Sequence, residues 1–195
     1  MNLVSVVKED FEKELNSIKT YLYNGNYIAV GEIGIDLYWD KTTLAIQKIA
    51  FEEQIKWAKE LHLPIVIHAR ESYEEIFEVL DQIHDSSLFG VFHCFTGSLK
   101  QAEKIIDYGN FKMGIGGVVT FKNGGLDKTL ENIELKHLVL ETDSPYLSPT
   151  PYRGKRNEST YLNLIAEKLA IIYNCTFEEI AEITTKNAKM LFKLD

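Results

Sequence analysis

Short apolar runs and helical patterns take turns along the chain from about residue 27 to residue 143, and a chain patterned this way has few means of burying its apolar faces. The runs cover residues 27–34, 64–68, 89–95, 111–119 and 137–143. Each is short and apolar, as a strand covered on both faces must be. Between the first two, Ile46, Ile49, Ala50, Trp57, Ala58 and Leu61 recur at helical spacing, and residues 71–83 and 98–108 supply the next two crossover helices. The β-α-β-α order predicts a parallel sheet. Residues 11–23 read as an amphipathic helix, with Phe11, Leu15, Ile18 and Leu22 on one face. After Asp143 a proline-bearing segment, 144–157, leads into helices only: 161–173, then one opened by a capping box of Thr176 and Glu179. The scrap 3–7 is too short to assign. With no repeat and no Gly/Ser/Pro linker to divide it, the chain reads as a single domain over 1–195.

Composition removes several classes. At 195 residues, 45% hydrophobic and 26% charged, the chain is globular rather than disordered. No run approaches the roughly 20 apolar residues of a membrane span, and the first ten residues lack an apolar signal-peptide core, so a soluble, cytoplasmic protein without a membrane partner is expected. Cys94 and Cys175 have no C-x-x-C spacing and read as reduced, buried hydrophobes. A formal charge of -8 disfavours non-specific polyanion binding unless bound cations offset it locally.

The ionisable residues at the strand ends carry the chemistry. Alternation puts Glu32 on a face with Val30, His68 with Val66, His93 with Val91, and Asp143 with Val139 and Glu141. Four of five strands therefore finish in an ionisable residue at the carboxyl end, where parallel α/β folds place their sites. Two imidazoles and two carboxylates converging there would be a costly way to stabilise a core, and they are a sensible way to hold a divalent cation. His62, His84 and His137 fall on helix ends or at the far end of a strand and read as structural or solvated. Gly114, Gly116 and Gly117 lie inside a strand, so close backbone packing explains them better than a dinucleotide fingerprint. Arg153, Lys155 and Arg156 form a basic island in an acidic chain, either a solvated loop or a phosphate contact.

Taken together, Gly31-Glu32-Ile33-Gly34-Ile35-Asp36, Ile67-His68-Ala69-Arg70, His93-Cys94-Phe95-Thr96-Gly97-Ser98 and Glu141-Thr142-Asp143-Ser144-Pro145-Tyr146-Leu147, closed by Arg153-Gly154 and Asn157, resemble the TatD family of metal-dependent deoxyribonucleases. The resemblance implies a TIM-type (β/α)8 barrel of the amidohydrolase superfamily, two divalent ions (zinc, manganese or magnesium) at its mouth, and hydrolysis of phosphodiester bonds in DNA by a metal-activated water. It implies Glu32 as the carboxylate bridging both ions, His68 and His93 as ligands of the second ion, Asp143 as a ligand of the first, Asp143 and Glu141 as catalytic residues, and Arg153 and Asn157 as substrate contacts. Single strands or duplex ends are the expected partners of a concave mouth. The family's opening His-x-His strand has no match, and five strands stand where the barrel uses eight. The chain is accordingly expected to be an incomplete, N-terminally truncated barrel that holds one ion and self-associates through exposed sheet edges at 27–34 and 137–143. An amidohydrolase acting on a small amide or ester, and a non-catalytic fragment, are the alternatives.

Overall fold

The computed structural model describes residues 11–122 and 124–195, so the scrap at 3–7 lies outside the described residues. It divides into two compact units at Val91/Phe92, inside a strand.

In the first unit, helix α1 (Phe11–Asn24) leads to strand β1 (Val30–Asp36), then α2 (Leu44–Leu61), β2 (Ile65–Arg70), α3 (Tyr73–Ile83) and the opening of β3 (Gly90–Phe92). Strands β1 and β2 are parallel, with Val30 opposite Ile65, Gly34 opposite His68 and Asp36 opposite Arg70. Alternation sorts the faces of β2: Ile65 and Ile67 are fully buried, whereas Val66 and His68 are half-buried and Arg70 is exposed. The core combines Ile33 and Ile35 of β1, Phe51, Ile55 and Ala58 of α2, and Ile76 and Leu80 of α3, all essentially inaccessible. Helix α2 ends at His62 in the left-handed conformation, whose N–H donates to the Lys59 carbonyl. His84 likewise caps α3, donating its N–H to Leu80.

In the second unit the chain continues through α4 (Leu99–Asp107), β4 (Phe111–Ile115), the short α5 (Leu126–Leu130), β5 (Leu138–Leu140), α6 (Leu162–Tyr173) and α7 (Phe177–Phe192). Both capping boxes form: Ser98 with Gln101 opens α4, and Thr176 with Glu179 opens α7. Strands β4 and β5 are parallel, with Gly114 opposite Val139. Helix α7 is pinned to the start of β5 by Asn187, whose amide donates to the Leu135 and Leu138 carbonyls at 2.9 and 2.7 Å. Phe92, Phe111, Met113, Ile115, Leu138, Ile165, Leu169 and Ile180 form the core.

Several expected boundaries move. The strand expected over 111–119 stops at Ile115, because Gly117–Thr120 turns into a 3-10 helix. The one expected over 137–143 is only Leu138–Leu140, with His137 closing the preceding 3-10 turn. A β-bulge between Gly31 and Ile33 breaks the alternation on which Glu32 was assigned its face. Val30, Val91 and Val139 are 3–5% exposed, and Val66 is half-buried. Cys94 and Cys175 are half-buried, less sequestered than expected. Among the described residues no helix is long and apolar enough to cross a membrane.

Burial, with Lys112 and Lys136 nearby outweighing Glu134, holds the His137 imidazole below its ordinary pKa of 6.5. The unfolded chain therefore binds this proton more readily than the folded one, and the contribution to stability is complete above about pH 6.5 and fades as pH falls toward the depressed value. The expected result is a urea midpoint that declines from pH 7 to pH 5, with a shallower decline in His137→Gln.

Candidate metal centre

In the first unit β1 and β2 bring three ionisable side chains together: Asp36 at the carboxyl end of β1, His68 near that of β2, and Glu32, which stands at the third residue of β1 and not at the strand end expected for it. Glu32 sits at the bulge, exposed, and its carboxylate and the His68 imidazole offer ligand atoms within 4.8 Å of each other. Asp36, only 8% exposed, places Oδ2 3.1 Å from His68 Nε2 while Oδ1 accepts the Tyr38 N–H at 2.9 Å. The Asp36 backbone is held in turn by Gln47, whose Oε1 accepts the Asp36 N–H at 2.7 Å and whose Nε2 donates to the Asp36 carbonyl. His68 is thus oriented by a carboxylate that is itself fixed, the arrangement that makes an imidazole a well-placed metal ligand. The sequence motif included Asp36 without giving it a role. The available signal was an acid at the strand's carboxyl end, opposite Arg70 and two register steps beyond the pair His68 and Gly34.

In the second unit the same device recurs with different residues. His93 follows β3 directly, and its Nδ1 lies 3.1 Å from Glu141 Oε1, which also accepts the Cys94 N–H at 2.6 Å. His93 Nε2 faces Asp143 Oδ1 at 3.7 Å. Glu141 follows β5 immediately, and its N–H donates to the Ile115 carbonyl at 3.1 Å, so the residue is carried by the β4–β5 pair. Asp143 lies beyond the strand in the left-handed region, φ 57°, so loop conformation and not strand alternation sets its position. The one glycine of β4 is explained here: a Cβ on Gly114 would stand 2.1 Å from Glu141 Oε2, so the strand has no side chain where the carboxylate lies.

The loop after Asp143 is clasped from below by Asn157. This residue is 2% exposed; its Nδ2 donates at 2.6 Å to the carbonyls of both Thr142 and Tyr146, and its N–H donates to Pro145. Its Oδ1 accepts the Glu158 N–H at 2.9 Å. The structure therefore places Asn157 beneath the loop, as its support, and leaves Arg153 exposed above. The Arg153 guanidinium lies 3.5 Å from the centroid of Phe121, in an open groove of about 520 Å3 lined also by Lys122, Gly124 and Thr150.

The chain matches the family model described as TatD related DNase over residues 4–193. It is 43% identical over 185 residues to the uncharacterized metal-dependent hydrolase YabD of Bacillus subtilis, covering 94% of this chain and 72% of that protein. It is 36% identical over 173 residues to the 3'-5' ssDNA/RNA exonuclease TatD of Salmonella typhimurium, covering 86% of this chain and 66% of that one. Among solved structures it superposes on YjjV, a TatD homologue from Escherichia coli K12, with a TM-score of 0.88 at 29% identity, over 94% of this chain and 71% of that chain.

Proposed function

This chain belongs to the TatD-related DNase family of metal-dependent hydrolases, and we propose that it hydrolyses phosphodiester bonds in DNA with a divalent ion held by Glu32, His68 and His93. The family fold is the TIM-type (β/α)8 barrel of the amidohydrolase superfamily, of which the described residues supply five strands. The observation that carries the reading is the duplication of one device: Asp36 on His68 and Glu141 on His93, each a carboxylate holding an imidazole at 3.1 Å. Structural histidines have no need of such duplicate orientation, and metal-binding histidines regularly have it.

The donor set suits the ion. One carboxylate and two imidazoles are a frequent ligand set of catalytic zinc and are acceptable to manganese; magnesium is the oxygen-preferring third candidate. Held by Glu32, His68 and His93, a divalent ion would supply Lewis-acid polarisation of a phosphate and a water acidified toward neutrality. The chain's own residues do the rest. Glu141 and Asp36 fix the imidazoles, and Asp143, on its clasped loop, accepts the proton of the attacking water. We also assign Asp143 to a second, weaker ion, so one ion should bind more tightly than another. Arg153, exposed and with its guanidinium carbon 3.5 Å from the Phe121 ring centroid, takes a phosphate of the strand. Glu141 acts through His93 and is a positioning residue. The named activity of the Salmonella relative favours a single strand as substrate.

Calorimetric titration of the metal-stripped chain with zinc and manganese, with and without His93→Ala, tests the ion site. One tight ion is expected, weakened at least tenfold in the variant; a folded chain that takes none, or two equal ones, overturns the ligand assignment. Hydrolysis of a labelled single-stranded oligonucleotide beside a panel of small esters and amides tests the substrate class. Faster cleavage of an amide or ester than of DNA would replace the nuclease reading.

A further inference from the structure

We infer that Tyr38, Trp39 and Arg70 form a stacking platform for an unpaired base of the nucleic-acid strand, a binding site separate from the ion ligands and resting on the nuclease reading above. The residues follow β1 and end β2, on the strand ends where barrel enzymes receive their substrates. Leu37, 5% exposed, anchors the loop, and the next two side chains turn outward: Tyr38 is 47% and Trp39 69% exposed. Their rings meet edge to face, with centroids 4.7 Å apart at 88°. Arg70 lays its guanidinium over Tyr38, Cζ 3.7 Å from the centroid, with the Trp39 centroid at 6.0 Å.

The platform is rigid before any ligand arrives. The Leu37 N–H donates to the Arg70 carbonyl at 2.9 Å and the Tyr38 N–H to Asp36 Oδ1 at 2.9 Å, so Tyr38 is tied to the strand pair and Trp39 follows it directly with its ring against the Tyr38 ring. Asp36 is the same carboxylate that holds His68, and Arg70 stands two residues beyond His68 on the same face of β2. A base on these rings is therefore registered against the imidazole through one shared side chain. A single exposed ring needs no explanation, but an exposed indole beside a phenol and a guanidinium gathered on one strand end offers a π-surface and a cation, the combination that stacks bases and meets their phosphates. In a chain of charge -8 this is local positive charge where a polyanion must approach. Duplex DNA keeps its bases inside the stack and has none to offer except at frayed ends.

Trp39 reports directly on its own occupancy, because Trp57, the second tryptophan, is 4% exposed within α2. Phosphorothioate oligothymidylate, which resists hydrolysis, is titrated into the full chain while tryptophan emission is followed, beside an abasic oligomer of the same length and a blunt hairpin. Quenching by oligothymidylate is expected, with roughly tenfold weaker binding of the abasic strand and of the hairpin, since stacking one base is worth about that factor or more. Trp39→Ala should bind oligothymidylate about as weakly as the abasic strand is bound, Trp39→Phe should recover part of the loss, and Trp57→Phe should keep the quench. Equal affinity for abasic and base-bearing strands, or unchanged affinity in Trp39→Ala, overturns the platform while DNA hydrolysis by the unaltered chain leaves the nuclease reading standing. Base-dependent quenching in a chain that cleaves no DNA has the opposite meaning: the platform holds and the nuclease reading falls.

Discussion

Gly34→Ala is expected to be the most destabilising small substitution in the first unit, costing about 3 kcal/mol or more. Gly34 has φ 139°, a conformation L side chains rarely adopt, and the added Cβ would stand 2.1 Å from the backbone oxygen of His68 on the neighbouring strand. The obstacle is backbone, so no rotamer change can relieve it. A strained dihedral costs about 1–3 kcal/mol and overpacking a similar amount, against a total domain stability of about 5–15 kcal/mol. Urea unfolding should show a large fall in midpoint at unchanged slope. Because Gly34 pairs with His68, the same substitution displaces a proposed ion ligand, and metal affinity should fall with stability. A midpoint shift worth less than about 1 kcal/mol would mean that β1 and β2 can slide apart at this pair.

Gly114→Ala should do the reverse, sparing stability and damaging function. Its Cβ would meet the Glu141 carboxylate, at 2.1 Å from Oε2, and a carboxylate at the end of a flexible side chain can swing away. When it does, the Cys94 N–H and His93 Nδ1 lose their acceptor. Loss of such an orienting partner typically lowers metal affinity or turnover by about 10–100-fold. The expected outcome is a loss of that size in ion binding by calorimetry with a melting temperature within a few degrees of the parent. Glu141→Gln, which keeps the shape and the acceptor oxygen for Cys94, should lose less than Gly114→Ala. Equal ion affinity in Gly114→Ala and the parent would remove Glu141 from the positioning of His93.

The helices and strands were legible in the sequence where one face is apolar at a fixed period. The buried Ile65 and Ile67 of β2 and the Thr176–Glu179 box of α7 follow from local pattern, whereas the apolar face expected of α2 holds only in part: Ala50, Trp57 and Ala58 are buried, but Ile49 is 49% exposed and Phe51 and Ile55 take the buried face instead. Legibility stopped where conformation depends on something distant along the chain. The bulge at Glu32 has no signature in an apolar run, so alternation assigned that side chain a face the strand does not keep. The apolar run leading up to Asp143 suggests that the strand continues to it, whereas its own left-handed backbone and the Asn157 clasp set its place. The motifs singled out Glu32, His68, His93, Glu141 and Asp143 by residue type and order. That Asp36 and Glu141 orient the imidazoles is a matter of which carboxylate a strand end delivers to which ring, and Glu141 reaches Cys94 across 47 positions of sequence. Asn157 shows the same limit: its place in the motif suggested contact with substrate, and only the fold reveals an amide wholly occupied with three backbone partners beneath the loop.

That occupied amide has a thermodynamic corollary. A loop left to itself would sample many shapes, and each ligand would have to freeze it anew, losing about 1–2 kcal/mol of backbone entropy per residue ordered. Here one side chain bonds both Thr142 and Tyr146, so the segment carrying Asp143 is immobilised once, when the chain folds. Affinity for substrate is then set by contacts made rather than by disorder quenched, and the loop can be remodelled outside its two fixed carbonyls without loosening the carboxylate it carries.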